Sequence, residues 1–260
     1  PELDGTQAPP PRRRRKPRGP GVAAVLLVAG ASLLAWHDPA WRTEHVATGA
    51  QERRAVELPD GSRVELDVAT RLAVSRHLRS RRVALEQGRA LFEVQPSAWR
   101  PFTVDAGAAS VRVLGTAFDV RRTGEGAGDE VTITVLRGRV AVTGAAGAGT
   151  VLETGGQLHA HAGQLGASAT VDAADATAWR QGQLVFQRTP LAEVLAEIAR
   201  YTGRPVRLAD PSLAGLEVSG VYRTANTQAL LALLPTFLPV VVEPQGPDGG
   251  WVVRRAPARR

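Results

Sequence analysis

The sequence contains no cysteine and no methionine in 260 residues, and only 5% of it is aromatic. Without cysteine there is no disulfide framework, no thiolate metal site and no cysteine nucleophile. A thiol-free chain suits an oxidising compartment such as the periplasm but does not demand one. Without methionine, Pro1 is no initiator, and sequence upstream of it is expected. Net positive charge is concentrated in one place. The net charge is +7, and the first twenty residues supply +4 of it through Arg12, Arg13, Arg14, Arg15, Lys16 and Arg18 against Glu2 and Asp4. The remainder carries +3. A basic block this local does not require a nucleic-acid fold, and no nucleic-acid partner is expected. What is present is a hydrophobic content of 43%, enough for a core and against wholesale disorder.

Residues 1–18 read as a linker. Pro9, Pro10, Pro11 and Pro17 forbid a regular helix, and no apolar period appears. An uncharged run follows, Gly19 to Trp36, 18 residues long. Spanning a bilayer takes roughly 17–25 apolar residues. Three readings compete: a transmembrane helix, a signal-peptide core and a buried core helix. The run has only Ser32 as a polar side chain, too little for the polar face of a core helix. The following WHDPAW is a poor cleavage site. The adjacent arginines fit the positive-inside pattern, and Trp36 and Trp41 fit a membrane–water boundary. The expectation is one inner-membrane helix over 19–36, with residues 1–18 cytoplasmic and the chain beyond the linker 37–48 in the periplasm.

From about residue 49 the pattern alternates. Val64–Val68, Val83–Leu85, Ala90–Val94, Phe102–Val104, Val111–Val113, Val131–Val135 and Val140–Val142 are short segments of period two. Glycine-containing turns separate them at Asp60-Gly61-Ser62, Gly88 and Gly138. The arrangement in VALEQGRALFEV recurs loosely in VTITVLRGRVAV. Residues 49–178 are therefore expected to form a mainly β domain; barrel, sandwich and solenoid all qualify, and the recurrence favours a β-helical, solenoid-like stack of short strands.

Residues 179–255 switch pattern again. Leu184–Phe186 reads as a strand. Thr189-Pro190 starts a helix with proline first, whose face is Leu191, Val194, Leu195, Ile198 and Ala199 and whose stop is Gly203. Val206–Leu208 and Leu216–Val221 read as strands. A second helix runs from Thr227 to Leu234, with Leu230, Leu231, Leu233, Leu234 and Phe237 expected in the core. Val240–Val242 and Trp251–Val253 close a small α+β module of order βαββαββ.

Several motifs stand in order: Arg54–Leu66 with Pro59-Asp60-Gly61-Ser62, then Gly88–Val94 with Phe92, then Arg100-Pro101-Phe102-Thr-Val104, then Val113-Leu-Gly115-Thr116-Ala-Phe118-Asp-Val120. Val131–Val142 and Gly156-Gln157 come after them. Gln51–Val142 resembles the FecR protein domain on these residues. Trp179–Phe186, Pro190–Val194 and Arg200-Tyr201 are similar to the continuation usual in that family, and the C-terminal stretch beyond them looks like a secretin-and-TonB N-terminal type of module. The resemblance implies a transmembrane anti-sigma regulator. Such a protein holds an extracytoplasmic-function sigma factor through a cytoplasmic N-terminal helical domain. Outside, it contacts the signalling domain of a TonB-dependent outer-membrane receptor, here in iron or nutrient uptake. Residues 1–18 cannot form the sigma-binding domain, which is expected upstream of Pro1 or lost. The alternative is a membrane-anchored periplasmic structural or cell-wall-associated binding protein.

The residues offer little outward chemistry. No phosphate loop, nucleophile elbow or paired-carboxylate arrangement appears, and no enzyme activity on an outside substrate, cofactor or metal is expected. His159-x-His161 shares a strand face but lacks further ligands. Gly115-Thr116 is a candidate self-cleavage site. A hydroxyl there attacks the preceding carbonyl, converting amide to ester, and glycine permits strain and close approach. For partner contact, Leu216–Tyr222 (Leu216, Val218, Val221, Tyr222) or Trp251–Arg254 (Trp251, Val253) is expected to be an exposed edge open to strand addition.

Overall fold

Apolar–polar alternation from Arg42 onward folds as thirteen strands of one curled, nearly closed sheet. The structure is a computed structural model that describes Gly21, Leu26, Leu27, Ala29 and residues 38–124, 128–245 and 249–257. Leu26, Leu27 and Ala29 are helical; the tail 1–18 and almost all of the expected span 19–36 lie outside the described residues. Among the described residues no helix is long and apolar enough to cross a membrane. Residues 1–39 and 40–260 form separate units, and the second contains the strands and both lobes of the body.

The strands are β1 Arg42–Ala47, β2 Arg54–Glu57, β3 Arg63–Leu66, β4 Arg71–Arg76, β5 Arg81–Glu93, β6 Phe102–Asp105, β7 Ala109–Val113, β8 Ala117–Thr123, β9 Glu130–Arg137, β10 Arg139–Gly144, β11 Gly149–Glu153, β12 Gly156–His161 and β13 Gln164–Thr170. They make two leaves joined by β5. Its first half pairs with β4 and β6, its second half with β3 and β8. One leaf runs β1-β4-β5-β6-β7-β10-β11, the other β2-β3-β5-β8-β9-β12-β13. The bend in β5 falls at Gly88, where φ is +92° and a Cβ would lie 2.5 Å from Thr70 Oγ1. Only glycine tolerates that combination.

The solenoid expectation is corrected. Stacked coils need parallel neighbours, yet in this sheet only β5–β6 is parallel and the other pairings are antiparallel. The recurring strand–Gly–strand pattern has a different meaning. Gly88 bends β5 between leaves, and Gly138, with φ +93°, passes the chain from β9 in one leaf to β10 in the other. The sequence repeat marks corners, not rungs.

Inward residues of both leaves form one apolar core, including Val64, Leu66, Val83, Leu85, Val104, Val111, Val120 and Ile133. Phe92 lies at its centre, 5.2 Å from Phe118 in a stacked arrangement and 6.1 Å from Phe102. All three are at most 1% exposed.

The second lobe begins at α1, Ala173–Ala176, capped by the Asp172 carboxylate accepting from Ala174 N. It continues with β14 Gln183–Pro190, α2 Leu191–Thr202, β15 Val206–Leu208, β16 Glu217–Arg223, α3 Thr227–Phe237, β17 Val240–Gln245 and β18 Gly250–Arg255. From β14 on, this is the βαββαββ order read from the sequence. Two details differ. Pro190 is the residue before α2 rather than its first, and Thr189 belongs to β14. In α3, Leu230, Leu231 and Leu234 are buried, whereas Leu233 and Phe237 are 46% and 47% exposed. The buried stripe is centred on 227, 231 and 234, and 233 and 237 lie on its flank. The lobe's strands form a two-stranded sheet, β14-β16, and a three-stranded sheet, β15-β18-β17. Its core includes Leu191, Ile198, Leu213, Leu230 and Val253, together with Val68 contributed by the β lobe.

Candidate functional site

Most of the residues singled out in the sequence are structural. Asp60 accepts from Ser62 N at 3.0 Å and Ser62 Oγ at 2.8 Å, closing the turn at Gly61, whose φ is +79°. Arg81 Nη1 binds Asp60 Oδ2 at 2.6 Å, while its other donors hold the Arg100 carbonyl. Burial opposes the Asp60 charge, but Arg81 and Ser62 outweigh it and hold the carboxyl below its ordinary value. The Pro101 carbonyl accepts from Arg81 N at 3.1 Å. This cluster welds the β2–β3 turn to β5 and the approach to β6. His159 Nδ1 lies 3.1 Å from Thr132 Oγ1, and among the described residues no three His, Asp or Glu side chains gather as metal ligands.

Gly115 and Thr116 form the corner between β7 and β8. Gly115 does not have a left-handed backbone. Its constraint is proximity: a Cβ there would lie 2.7 Å from Pro96 Cα. Thr116 is buried, and its hydroxyl donates to the Arg139 carbonyl at 3.0 Å.

The two expected edges divide. β16 pairs with β14 on one side and with no second strand among the described residues. Along it Val218 is core, Tyr222 packs 5.8 Å from Phe186, and Val221 is 62% exposed. Leu216, just before β16, is half-buried. The Trp251–Arg254 edge is corrected: β18 is the central strand, flanked by β15 and β17. Val253 is fully buried there, and the half-buried Trp251 lies under the Arg204 guanidinium. Over Trp251–Val253 the backbone of β18 is paired on both sides.

The densest chemistry lies where sequence reasoning did not look, between the lobes. Asp67 occupies the corner between β3 and β4. Its N donates to the Arg89 carbonyl at 2.9 Å, and its carbonyl accepts from Thr48 Oγ1 at 2.6 Å. That pinned corner aims a fully buried carboxylate at α2. Arg200 Nη2 meets Asp67 Oδ2 at 2.7 Å, Arg200 Nη1 holds the Val68 carbonyl at 2.8 Å, and Tyr201 Oη donates to Asp67 at 2.8 Å. Arg200 also binds Glu197 at 2.6 Å, and Glu197 takes Arg121 from β8 at 3.1 Å. Beside this, Arg89 grips both oxygens of Asp119 at 2.7 and 2.9 Å and donates to the Ala176 carbonyl at the end of α1. Arg180, in the one-turn helix Ala178–Gln181, binds Glu65 through two bonds of 2.8 Å.

Electrostatics favour the charged forms of Glu197 and Arg200. Burial would push the Glu197 carboxyl up, but Arg121, Arg200 and Arg89 hold it well below the ordinary glutamate range. Burial likewise opposes the Arg200 charge, and Glu197 and Asp67 more than restore it. Burial and the Asp67 charge push the Tyr201 hydroxyl up, so it stays a donor. A cleft of about 1080 Å3 runs alongside, lined by Arg89, Asp119, Arg121, His159, Trp179 and Glu197 among others.

The FecR resemblance is borne out by comparison with known proteins. Residues 44–141 match the family model described as FecR protein. These residues form a FecR domain. Two crystal structures described as "a putative anti-sigma factor" from Parabacteroides distasonis resemble the chain. One has a TM-score of 0.73 at 25% identity and covers 82% of this chain and 100% of that one. The other has 0.71 at 25% identity, covering 83% and 100%. No curated protein matches the chain. The FecR domain extends from β1 into β10 and contains Asp67, Arg89, Asp119 and Arg121, the β-lobe half of the buried network. Glu197, Arg200 and Tyr201 come from the second lobe, outside the matched residues.

Proposed function

We propose that this protein is an anti-sigma regulator of the FecR type. In this reading it sits in the inner membrane by one N-terminal helix. Its two-lobed body stands in the periplasm and receives a signal from a TonB-dependent outer-membrane receptor. It passes that signal to an extracytoplasmic-function sigma factor held on the cytoplasmic side. The observation that carries the reading is the match of residues 44–141 to the FecR family model, combined with likeness to the whole of a solved chain described as "a putative anti-sigma factor". The arrangement suits a relay and not catalysis on an outside substrate. Its buried charged groups at the lobe joint are paired internally, and β16 is one of the edges the second lobe leaves without a second strand. A partner strand adding there gains main-chain hydrogen bonds without rearranging the core. Because Asp67, Arg200 and Tyr201 fasten that lobe to the FecR domain, force or displacement at β16 reaches the β lobe through a stiff joint. Regulated destruction is the second half of the reading, with the Gly115–Thr116 bond as the cleavage point.

Co-purification with the signalling domain of the receptor encoded beside its gene tests the first half. Binding by the intact chain, weakened roughly tenfold or about 1.4 kcal/mol by Val221→Arg, is expected. No binding to any co-encoded receptor contradicts it. For the second half, Thr116→Ala is expected to abolish a two-fragment pattern on immunoblots; unchanged fragmentation counts against cleavage there.

A further inference from the structure

Four exposed large apolar side chains of the β lobe gather in one place. Trp41, Leu78, Trp99 and Leu114 are 64%, 72%, 92% and 54% exposed, and all four sit at one end of the β1-containing leaf. Strand register places them there. Arg42 on β1 pairs with Arg76 at the end of β4, Arg81 at the start of β5 pairs with Phe102, and Phe102 pairs with Val113. Hydrogen bonds tie the loops at this end together. Trp41 N donates to the Arg76 carbonyl at 3.1 Å, and Ser97 N to the Leu114 carbonyl at 2.7 Å. Arg100 Nη2 holds the His77 carbonyl at 3.2 Å. The intervening loops, 77–80, 95–101 and 114–116, contain no Asp or Glu, whereas Arg79 and Arg100 lie in them and the exposed Arg82 follows. The nearby Asp60 is already neutralised by Arg81.

A tryptophan 92% exposed has no stabilising role in the fold, and clustered exposed apolar groups mark contact surfaces. Chain continuity identifies the surface. Trp41 immediately precedes β1 and comes five residues after Trp36, the end of the apolar run, and five residues reach at most about 18 Å. We propose that this end of the FecR domain is a membrane-contact face resting on anionic lipid. Leu78, Trp99 and Leu114 enter the interfacial layer, and Arg82 and Arg100 meet phosphate headgroups. Tryptophan favours the headgroup level, and arginine pairs with phosphate. The face fixes the body against the bilayer and sets which way β16 points. The proposal rests on the membrane-anchored reading above.

The absence of cysteine makes the test clean. Single cysteines at Ala98, Leu78, Val221 and Leu27 carry a polarity-sensitive fluorophore, one per full-length chain, reconstituted into phosphatidylcholine vesicles with or without phosphatidylglycerol. Lipid-borne quenchers are expected to reach positions 78 and 98, more strongly with phosphatidylglycerol, and to leave 221 untouched. Trp99→Ser with Leu78→Ser is expected to remove quenching at 98 while both lobes stay folded. Quenching at 27 with 78 and 98 as dark to the quencher as 221 overturns the contact face and leaves the anchor standing. Quenching at 78 and 98 without quenching at 27 keeps the face and removes the anchor. Quenching at all of 78, 98 and 221 overturns the proposal as non-specific adsorption, and quenching at none overturns face and anchor together.

Discussion

The interior of the FecR domain and the joint between the lobes are both buried, but they are built from opposite materials. The first is aliphatic with three phenylalanines. The second is a chain of carboxylates and guanidiniums, Asp67–Arg200–Glu197–Arg121 with Arg89–Asp119 beside it, and Val68 is the apolar graft across it. An apolar interior is non-directional and tolerates repacking. A buried ion network contributes little net stability over an apolar one but is costly to leave half-made. The contrast assigns different tasks: one interior makes the fold, and the other fixes a single orientation between two pieces of it.

The largest expected effect falls on the apolar side. Phe118→Ala removes the stacked partner of Phe92 and is expected to cost about 3–5 kcal/mol, read by urea denaturation. Both lobes should be affected, because the joint is mounted on β8. Asp67→Asn keeps the shape of the corner but discharges it, and is expected to cost about 1.5–3 kcal/mol. That loss should appear as faster amide exchange in α2 and the strands after it, with the β lobe unchanged.

A pH titration sharpens the same contrast. The Glu197 carboxyl is depressed in the folded protein, so its contribution is present above the ordinary value of 4.5 and is lost as pH falls towards the folded value. Asp119, pushed up by burial against the pull of Arg89, works the other way and partly flattens the profile. The net expectation is that amide protection in α2 drops below about pH 4.5 before that of β5 and β8 does. Smallest is Arg180→Ala. This bidentate bridge to Glu65 is a third exposed on the arginine side, so less than about 1 kcal/mol is expected.

The same contrast explains what the sequence disclosed. Alternation found the strands, and turn glycines found the corners, because both follow from local backbone geometry. The order of the second lobe was legible for the same reason, since Leu191, Val194, Leu195 and Ile198 announce a helix face. The solenoid expectation failed because Gly88 and Gly138 look alike in sequence whether the chain stacks or crosses between leaves. The joint was invisible. In Val64-Glu-Leu66-Asp-Val68, Asp67 reads as an outward polar position, and outward it points, but the second lobe stands where solvent was expected. Arg89, Asp119 and Arg121 are outward positions of the same kind. Only Arg200-Tyr201 gave a sequence signal, through family resemblance and without a role. An alternating pattern names the face and does not say what covers it.

The charged joint is held to make two lobes move as one body. Hydrogen exchange along a denaturant series, resolved by mass spectrometry into β-lobe and second-lobe peptides, measures this for the wild type and Arg200→Met. Wild-type peptides from both lobes are expected to lose protection at one midpoint, and in Arg200→Met the second lobe is expected to open first. Separate midpoints already in the wild type, or a shared and unmoved midpoint in the variant, would contradict a rigid joint.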